Sequence, residues 1–385
     1  MISKFKLAIL LLRCFAHVAI YGSATRPVIQ PKKIVIIQLA KLGDMVCTTP
    51  VFQAIKRVYP DTKVTVVGDK INQEVLEGHP AIDSYIVWNK KELSTTFEEI
   101  KRGGFDFGCI MSPDFEGLAA LLLAHIPLIS APKIEGGISP YETKTYRIIR
   151  RFIVNKPHWM GAYAPREYLR LLEPIGIETS DTQKRVFWSR QAEKEASRII
   201  SSIPSSYTYL VGMSAGAGNK EKQWDPRNFA AVADYLIKEC GAHILIFGGK
   251  RDAYESAELL TSIENKQSIT DATNISIDTL KAALSKLDVF LSVNTGPLYI
   301  AEALDIPTVD LVGPVSPWDQ PPQGKIHKVV FPPGRPKPII FVMDTRNHDT
   351  REAERIAQST RVEDVITAAK QALNEVRKRS PVKKE

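Results

Sequence analysis

Three short stretches of this chain place a polar or charged side chain among small residues, where an apolar run gives way to a helical one. The first is Leu42-Gly43-Asp44, after the run Lys33-Ile34-Val35-Ile36-Ile37-Gln38-Leu39. A carboxylate there can accept a proton from a substrate hydroxyl, and it can equally cap a helix N-terminus. The second, Ser214-Ala215-Gly216-Ala217-Gly218, follows a strand-like run and precedes Lys220, Lys222, Trp224 and Asp225-Pro226. Small residues let a ligand approach the backbone, and a nearby lysine can neutralise a phosphate; the stretch is neither a Walker A loop nor GxGxxG. The third, Asn294-Thr295-Gly296-Pro297, puts Pro at a first helical position, so free N–H groups and the positive helix end face an anion. Asp252, shortly after Phe247-Gly248-Gly249, can accept hydrogen bonds from a ribose or cap its own helix.

Other chemistries lack their residues. His79, His125, His158, His243, His327 and His348 are scattered with no HExxH or paired metal spacing, and no Asp-x-Asp occurs, so no metal site is expected. A nicotinamide-binding GxGxxG would have to follow the first strand, and Ala40-Lys41-Leu42-Gly43 does not supply it.

The elements that must position these groups are strands alternating with helices. Strands are expected at 33–39, 63–67, 85–88 and 105–110, and again at 207–213, 243–247, 288–293 and 308–312, with a final helix over 362–376. Such alternation reads as α/β with doubly wound sheets, here two Rossmann-like domains facing a cleft, and ligands of such sheets bind beyond the carboxyl ends of the strands. The expected division is residues 1–31 as a membrane-interface or targeting segment, 32–185 as one Rossmann-like domain, 186–345 as the second, and 346–385 as a C-terminal helix with a basic tail (Arg377-Lys378-Arg379, Lys383, Lys384).

The composition suits this reading: 385 residues, 44% hydrophobic and 24% charged, are those of an ordinary globular protein rather than a disordered, collagen-like or disulfide-stapled chain. The formal charge of +8 favours an anionic partner. Much of it lies in residues 133–170, where Lys133, Lys144, Arg147, Arg150, Arg151, Lys156, Arg166 and Arg170 face only Glu135, Glu142 and Glu167. Cys14, Cys47, Cys109 and Cys240 are too far apart for a CxxC pair and read as reduced thiols. The apolar run Leu7–Ile20 is short of the roughly 20 residues a bilayer span needs. At about 100° per residue, Lys6, Arg13 and His17 fall on one stripe of that helix, which suits an interfacial helix with its cations toward lipid phosphates. An uncleaved anchor, a signal peptide or a helix packed on the protein are the alternatives.

Taken in order, these segments resemble glycosyltransferase family 9, the lipopolysaccharide heptosyltransferases. The matching text is Ile34-Val35-Ile36-Ile37 to Leu42-Gly43-Asp44-Met45, Lys222-Gln223-Trp224 with Asp225-Pro226 and Phe229, Ile246-Phe247-Gly248-Gly249 with Asp252, Asn294-Thr295-Gly296-Pro297, and Pro307-Thr308-Val309 to Gly313-Pro314. The resemblance implies a GT-B fold and inverting, metal-independent, cofactor-free transfer. Acceptor would bind the N-terminal domain and nucleotide sugar, ADP-heptose for a heptosyltransferase, the C-terminal one. Asp44 matches the catalytic base, and Lys222 the lysine that stabilises the departing diphosphate. Donor-binding positions are Ser214, Gly216, Gly218, Asp252, Asn294, Thr295 and Gly296. A phosphorylated glycolipid acceptor at the cytoplasmic face of the inner membrane would give the basic segment a purpose, with Lys144, Arg147, Arg150 and Arg151 as acceptor contacts; nucleic acid is not expected. Two departures stand out: the family usually reads Asp-Thr-Gly where Asn294-Thr295-Gly296 stands, and has His at Tyr299. A different donor sugar, or a non-catalytic sugar-nucleotide or glycan-binding protein of the same fold, is what those departures would bring.

Overall fold

Continuous β-branched runs, which suit strands buried on both faces, form two six-stranded sheets whose pairings are all parallel. They are seen in a computed structural model that describes residues 4–204 and 206–379. The chain divides into two compact units: residues up to Lys184 with 318–320 and 342–346, and residues 185–317, 321–341 and 347 onward. Residues 318–320 and 342–345, expected in the second domain, and Arg346, expected with the C-terminal helix, therefore belong to the first unit.

In the first unit the elements run α1 (Lys4–Tyr21), β1 (Lys33–Gln38), α2 (Leu42–Val58), β2 (Lys63–Gly68), α3 (Lys70–Val75), β3 (Ser84–Val87), α4 (Leu93–Gly103), β4 (Phe107–Ile110), α5 (Phe115–Leu123), β5 (Leu128–Glu135), α6 (Lys144–Ile149), β6 (Val154–Trp159) and α7 (Ala164–Leu169). The strand order is β3-β2-β1-β4-β5-β6. Strands β5 and β6 were not expected, because each contains a proline. Both are tolerated by position: β5 pairs with β4 only as far as Ser130, so Pro132 has β6 as its single neighbour, and Pro157 lies on the edge strand β6. Pro50 sits inside α2. Proline cannot donate to the Val46 carbonyl four residues back, and the Thr49 hydroxyl takes that bond at 2.8 Å.

Helix α1 is not a separate segment. Leu10 and Cys14 are buried with Leu118, Leu121 and Leu122 of α5 and with Tyr146 and Ile149 of α6. Residues after the helix pair with the sheet edge: Ala24 N–H donates to the Phe152 carbonyl at 2.8 Å, and Ile129 N–H to the Ala24 carbonyl at 3.0 Å. The expected stripe of Lys6, Arg13 and His17 is broken, because His17 is buried with its ring 4.6 Å from His125 and 4.8 Å from Tyr21. The helix is apolar on both sides, so the stripe could not set its orientation; packing on α5 and α6 did, and it turned Phe5, Ile9, Leu12 and Ile20 outward. Burial pushes the Cys14 thiol up to about 12, an inert, protonated group at neutral pH.

The second unit contains α8 (Arg190–Ser201), β7 (Tyr209–Ser214), α9 (Pro226–Cys240), β8 (Ala242–Ile246), α10 (Ala253–Ser262), β9 (Ile269–Asp271), α11 (Ile277–Leu284), β10 (Val289–Val293), α12 (Gly296–Ala303), β11 (Thr308–Leu311), β12 (Lys328–Val330), α13 (Thr350–Gln358) and α14 (Val362–Arg379). Its order is β12-β11-β10-β7-β8-β9. The short edge strands β9 and β12 escaped the sequence, having only three residues each. Helix α14 is part of this unit rather than an appendage: Val365, Ala369, Ala372 and Leu373 are buried in the same core as β7 and β11. Trp224, 1% exposed, ties α13 and α14 to that core, its indole N–H donating to the Thr360 carbonyl at 3.0 Å and its ring lying edge-on to Phe229. Of the basic tail, Arg377 is held over the Tyr209 ring, while Lys383 and Lys384 lie outside the described residues.

Candidate functional site

A parallel sheet whose first strand is flanked on both sides has a switch point, where consecutive connections leave in opposite directions and open a crevice at the carboxyl ends. In the first unit β1 lies between β2 and β4, and Asp44 follows β1 directly. It is not the cap of α2: Lys41 holds that position, and Asp44 sits in the first turn, where the helix dipole favours a carboxylate. The Asp44 Oδ1 accepts from the Gln320 side-chain amide at 2.9 Å. Gln320 arrives on the strap 318–320, which is fixed from both sides. Ala164 N–H donates to the Asp319 carbonyl oxygen at 2.7 Å, and Val342 N–H to the Asp319 carboxylate at 2.7 Å. Below this pair the buried phenol of Tyr168 is pushed well up by desolvation and then by Asp44, so it stays a neutral donor. The arrangement is a carboxylate hydrogen-bonded to Gln320 at the mouth of a switch point, able to take a proton from a hydroxyl.

Replacing Gln320 with Ala removes the 2.9 Å hydrogen bond that helps to align the Asp44 carboxylate. Turnover is expected to fall about tenfold through lost alignment, while nucleotide-donor affinity, measured by calorimetry, stays at the wild-type value.

In the second unit the switch point lies between β7 and β10, whose register pairs Ser214 with Ser292. The expected donor residues converge there. Ser214 ends β7, Gly216 and Gly218 follow it, and Asn294, Thr295 and Gly296 join β10 to α12. A Cβ on Gly216 would come within 2.5 Å of the Asp252 carboxyl, so only glycine lets the two meet. Asp252 follows β8, accepts from Gly249 N–H at 3.1 Å, and is raised by burial. Thr295 caps α12 by backbone geometry alone, and its buried hydroxyl has no hydrogen-bond partner, which leaves it for a ligand at the helix N-terminus. Lys222 ends the 3₁₀ turn Lys220–Lys222 and acts electrostatically on Asp310 at the end of β11. These groups can hold a diphosphate and an adjoining ribose.

The basic segment does not form one patch. Lys133 pairs with Glu135, Lys156 with Glu173, and Arg170 with Glu167 and Glu173. Arg150 donates to Asn155 and lies 3.7 Å from Glu142. Lys144, Arg147 and Arg151 are exposed. Arg150 and Arg151 precede β6, at the sheet edge where strands begin, which is opposite to the edge that carries Asp44. The structure thus does not bring these two to the base, and Lys144 and Arg147 lie on the connecting helix α6. Two residues missed from sequence do sit in the sites: Gln320, with no local signal, and Asp310, a carboxylate inside the otherwise apolar β11. Among the described residues no three His, Cys, Asp or Glu side chains cluster as metal ligands.

Two Rossmann-like units, each with a furnished switch point, are the architecture of the GT-B fold. The model of glycosyltransferase family 9 (heptosyltransferase) matches residues 164–338 of this chain. Lipopolysaccharide heptosyltransferase 3 of Escherichia coli K12 is 24% identical over 293 residues, 72% of this chain and 83% of that protein. Among solved structures, a family 9 glycosyl transferase of Veillonella parvula superposes with a TM-score of 0.71 at 22% identity, covering 92% of this chain and all of the other. The E. coli ADP-heptose lipopolysaccharide heptosyltransferase II gives 0.69 at 18%, covering 89% and 99%.

Proposed function

We propose that this glycosyltransferase moves a heptosyl group from ADP-heptose onto a hydroxyl of a lipopolysaccharide core or related surface glycan, with inversion and without a metal. The observation that carries the reading is the division of chemistry between two switch points: a carboxylate follows β1 in one unit, and a lysine with a helix N-terminal turn whose buried Thr295 hydroxyl is unpartnered lies in the other. Asp44 accepts the proton as the acceptor oxygen forms its bond to the anomeric carbon. The bond from that carbon to the diphosphate breaks, and ADP leaves with Lys222 and the α12 N-terminus offsetting its new charge. A thermal-shift panel of sugar nucleotides, followed by mass spectrometry of products from a core acceptor in EDTA, tests this. ADP-heptose is expected to stabilise the protein and product to form in chelator; stabilisation by another sugar nucleotide would move the donor assignment, and stabilisation by none would overturn it. Asn294 and Tyr299 favour a second reading, a binding protein without turnover, and stabilisation without product would select it.

The enzyme works at the cytoplasmic face of the inner membrane, docked through α1. No described helix is long and apolar enough to cross a membrane. Instead Phe5, Leu12 and Ile20 are 75%, 66% and 72% exposed on the face of α1 turned away from the core, too much apolar surface for a helix meant to face water. Exposed Arg13 lies on the same helix, and Phe15 packs edge-on against Phe152, beside exposed Arg147 and Arg151. Apolar side chains flanked by cations suit an anionic bilayer surface. Each large apolar side chain contributes about 1.5–3 kcal/mol when buried. Leu12→Glu with Ile20→Glu is therefore expected to lower sedimentation with phosphatidylglycerol-containing vesicles at least tenfold, with unchanged activity on a short soluble acceptor. Unaltered sedimentation would reject α1 as the contact.

A further inference from the structure

The second unit holds a buried carboxylate that the roles given above leave unused. Asp310, near the carboxyl end of β11, is 1% exposed. Its Oδ2 accepts from the Asn294 side-chain amide at 3.2 Å, and its Oδ1 is buried with no hydrogen-bond partner. The other end of the Asn294 amide is also committed, because its oxygen accepts from the Tyr299 hydroxyl at 2.7 Å. The charged groups that face Asp310 are Lys222, from the 3₁₀ turn, and Glu302, from α12. Burial outweighs the Asn294 hydrogen bond and the Lys222 charge, and Glu302 adds to it, so the Asp310 carboxyl is pushed up to about 7.

We propose that Asp310 is the carboxylate that supports the donor turn. It is a positioning residue that clamps the Asn294 amide beneath the Thr295-Gly296 turn and takes up a proton when the donor diphosphate binds. This rests on the donor-site reading above. Without donor, an ionised Asp310 is stabilised by Lys222. A diphosphate brings two negative charges to that same lysine, so it competes for the cation and repels the carboxylate. The proton comes from solvent onto Asp310, whose Oδ1 has no competing donor, and no bond of the donor is made or broken. The Asn294 side chain, held at both ends, keeps the start of α12 fixed while the charge changes.

Binding that raises the affinity of Asp310 for a proton must itself weaken as pH rises through the free-state value. Calorimetry with ADP-heptose measures this, because a diphosphate diester does not titrate between pH 6 and 9. Titrations at pH 7.5 in buffers of different protonation enthalpy are expected to show uptake of a large fraction of a proton by the wild type, and its Kd is expected to rise roughly fivefold to tenfold between pH 6.5 and 8.5. Asp310→Asn is expected to remove both the uptake and the pH dependence. The exchanged pair, Asn294→Asp with Asp310→Asn, keeps a carboxylate against an amide and is expected to regain part of each, which a merely structural role for Asp310 would not predict. Wild-type binding without proton uptake overturns the proposal whatever the variants do, and so does undiminished uptake in Asp310→Asn. No binding of ADP-heptose by the wild type at any pH overturns the donor assignment itself.

Discussion

Asp44→Asn is expected to lower kcat by about a thousandfold and to leave the Kd of ADP-heptose unchanged. The amide is nearly isosteric with the carboxylate and can still meet the Gln320 amide across the 2.9 Å contact, so the local fold is kept. What it lacks is a site for the proton. An acceptor hydroxyl is a weak nucleophile with a pKa far above neutral, and general-base assistance is worth about 10²–10⁴ in rate. On the proposed function, donor affinity is set in the other unit, by the turn at Asn294, Thr295 and Gly296 and by Lys222. Single-turnover measurement of product, alongside calorimetry of the donor, separates the two effects. Unchanged turnover would remove Asp44 from the base role, and a matching loss of donor affinity would make it a binding residue instead.

The same separation of roles shows what the sequence could disclose. Asp44 was legible because Ile34–Ile37 is a continuous apolar run ending in a glycine turn, a local pattern that specifies both a buried strand and the place where a side chain emerges at its end. Asn294-Thr295-Gly296 was legible for the same reason. Gln320 was not, since its partner lies 276 positions away and reaches it only because a strap of three residues crosses back into the first unit. Strands β5 and β6 were masked by Pro132 and Pro157, which local rules count against a strand and which sheet position excuses. For α1 the helix itself was readable, but not its orientation. Both of its faces are apolar, and only the tertiary surface of α5 and α6 decides which is covered. Asp310 is a different case: a carboxylate between Val309 and Leu311 in a buried run is a local anomaly, and buried acids rarely occur without a partner. It was open to a reading that weighed exceptions to a strand pattern as heavily as matches.

Lys222→Ala is expected to weaken ADP-heptose binding about 10- to 100-fold and to lower kcat as well. A charge-assisted contact to a phosphate contributes about 1.5–3 kcal/mol. That energy is only partly spent in the ground state, because the diphosphate gains a further negative charge as the glycosidic bond breaks, and a fixed cation then stabilises the departing group more than the bound donor. The lysine sits on a short 3₁₀ turn held by α13, since Gln358 donates to the Gln223 carbonyl at 2.9 Å, so its loss leaves the turn in place. It also leaves Asp310 facing Glu302 without the cation that offset them, which shifts Asp310 further toward its protonated form. Lys222→Arg separates charge from shape. Arginine keeps the positive charge but spreads it over a planar fork, so donor affinity should return to within a few-fold while kcat recovers less. Equal recovery of both would mean that the lysine acts as a charge alone, and an unchanged Kd in Lys222→Ala would reject its contact with the diphosphate.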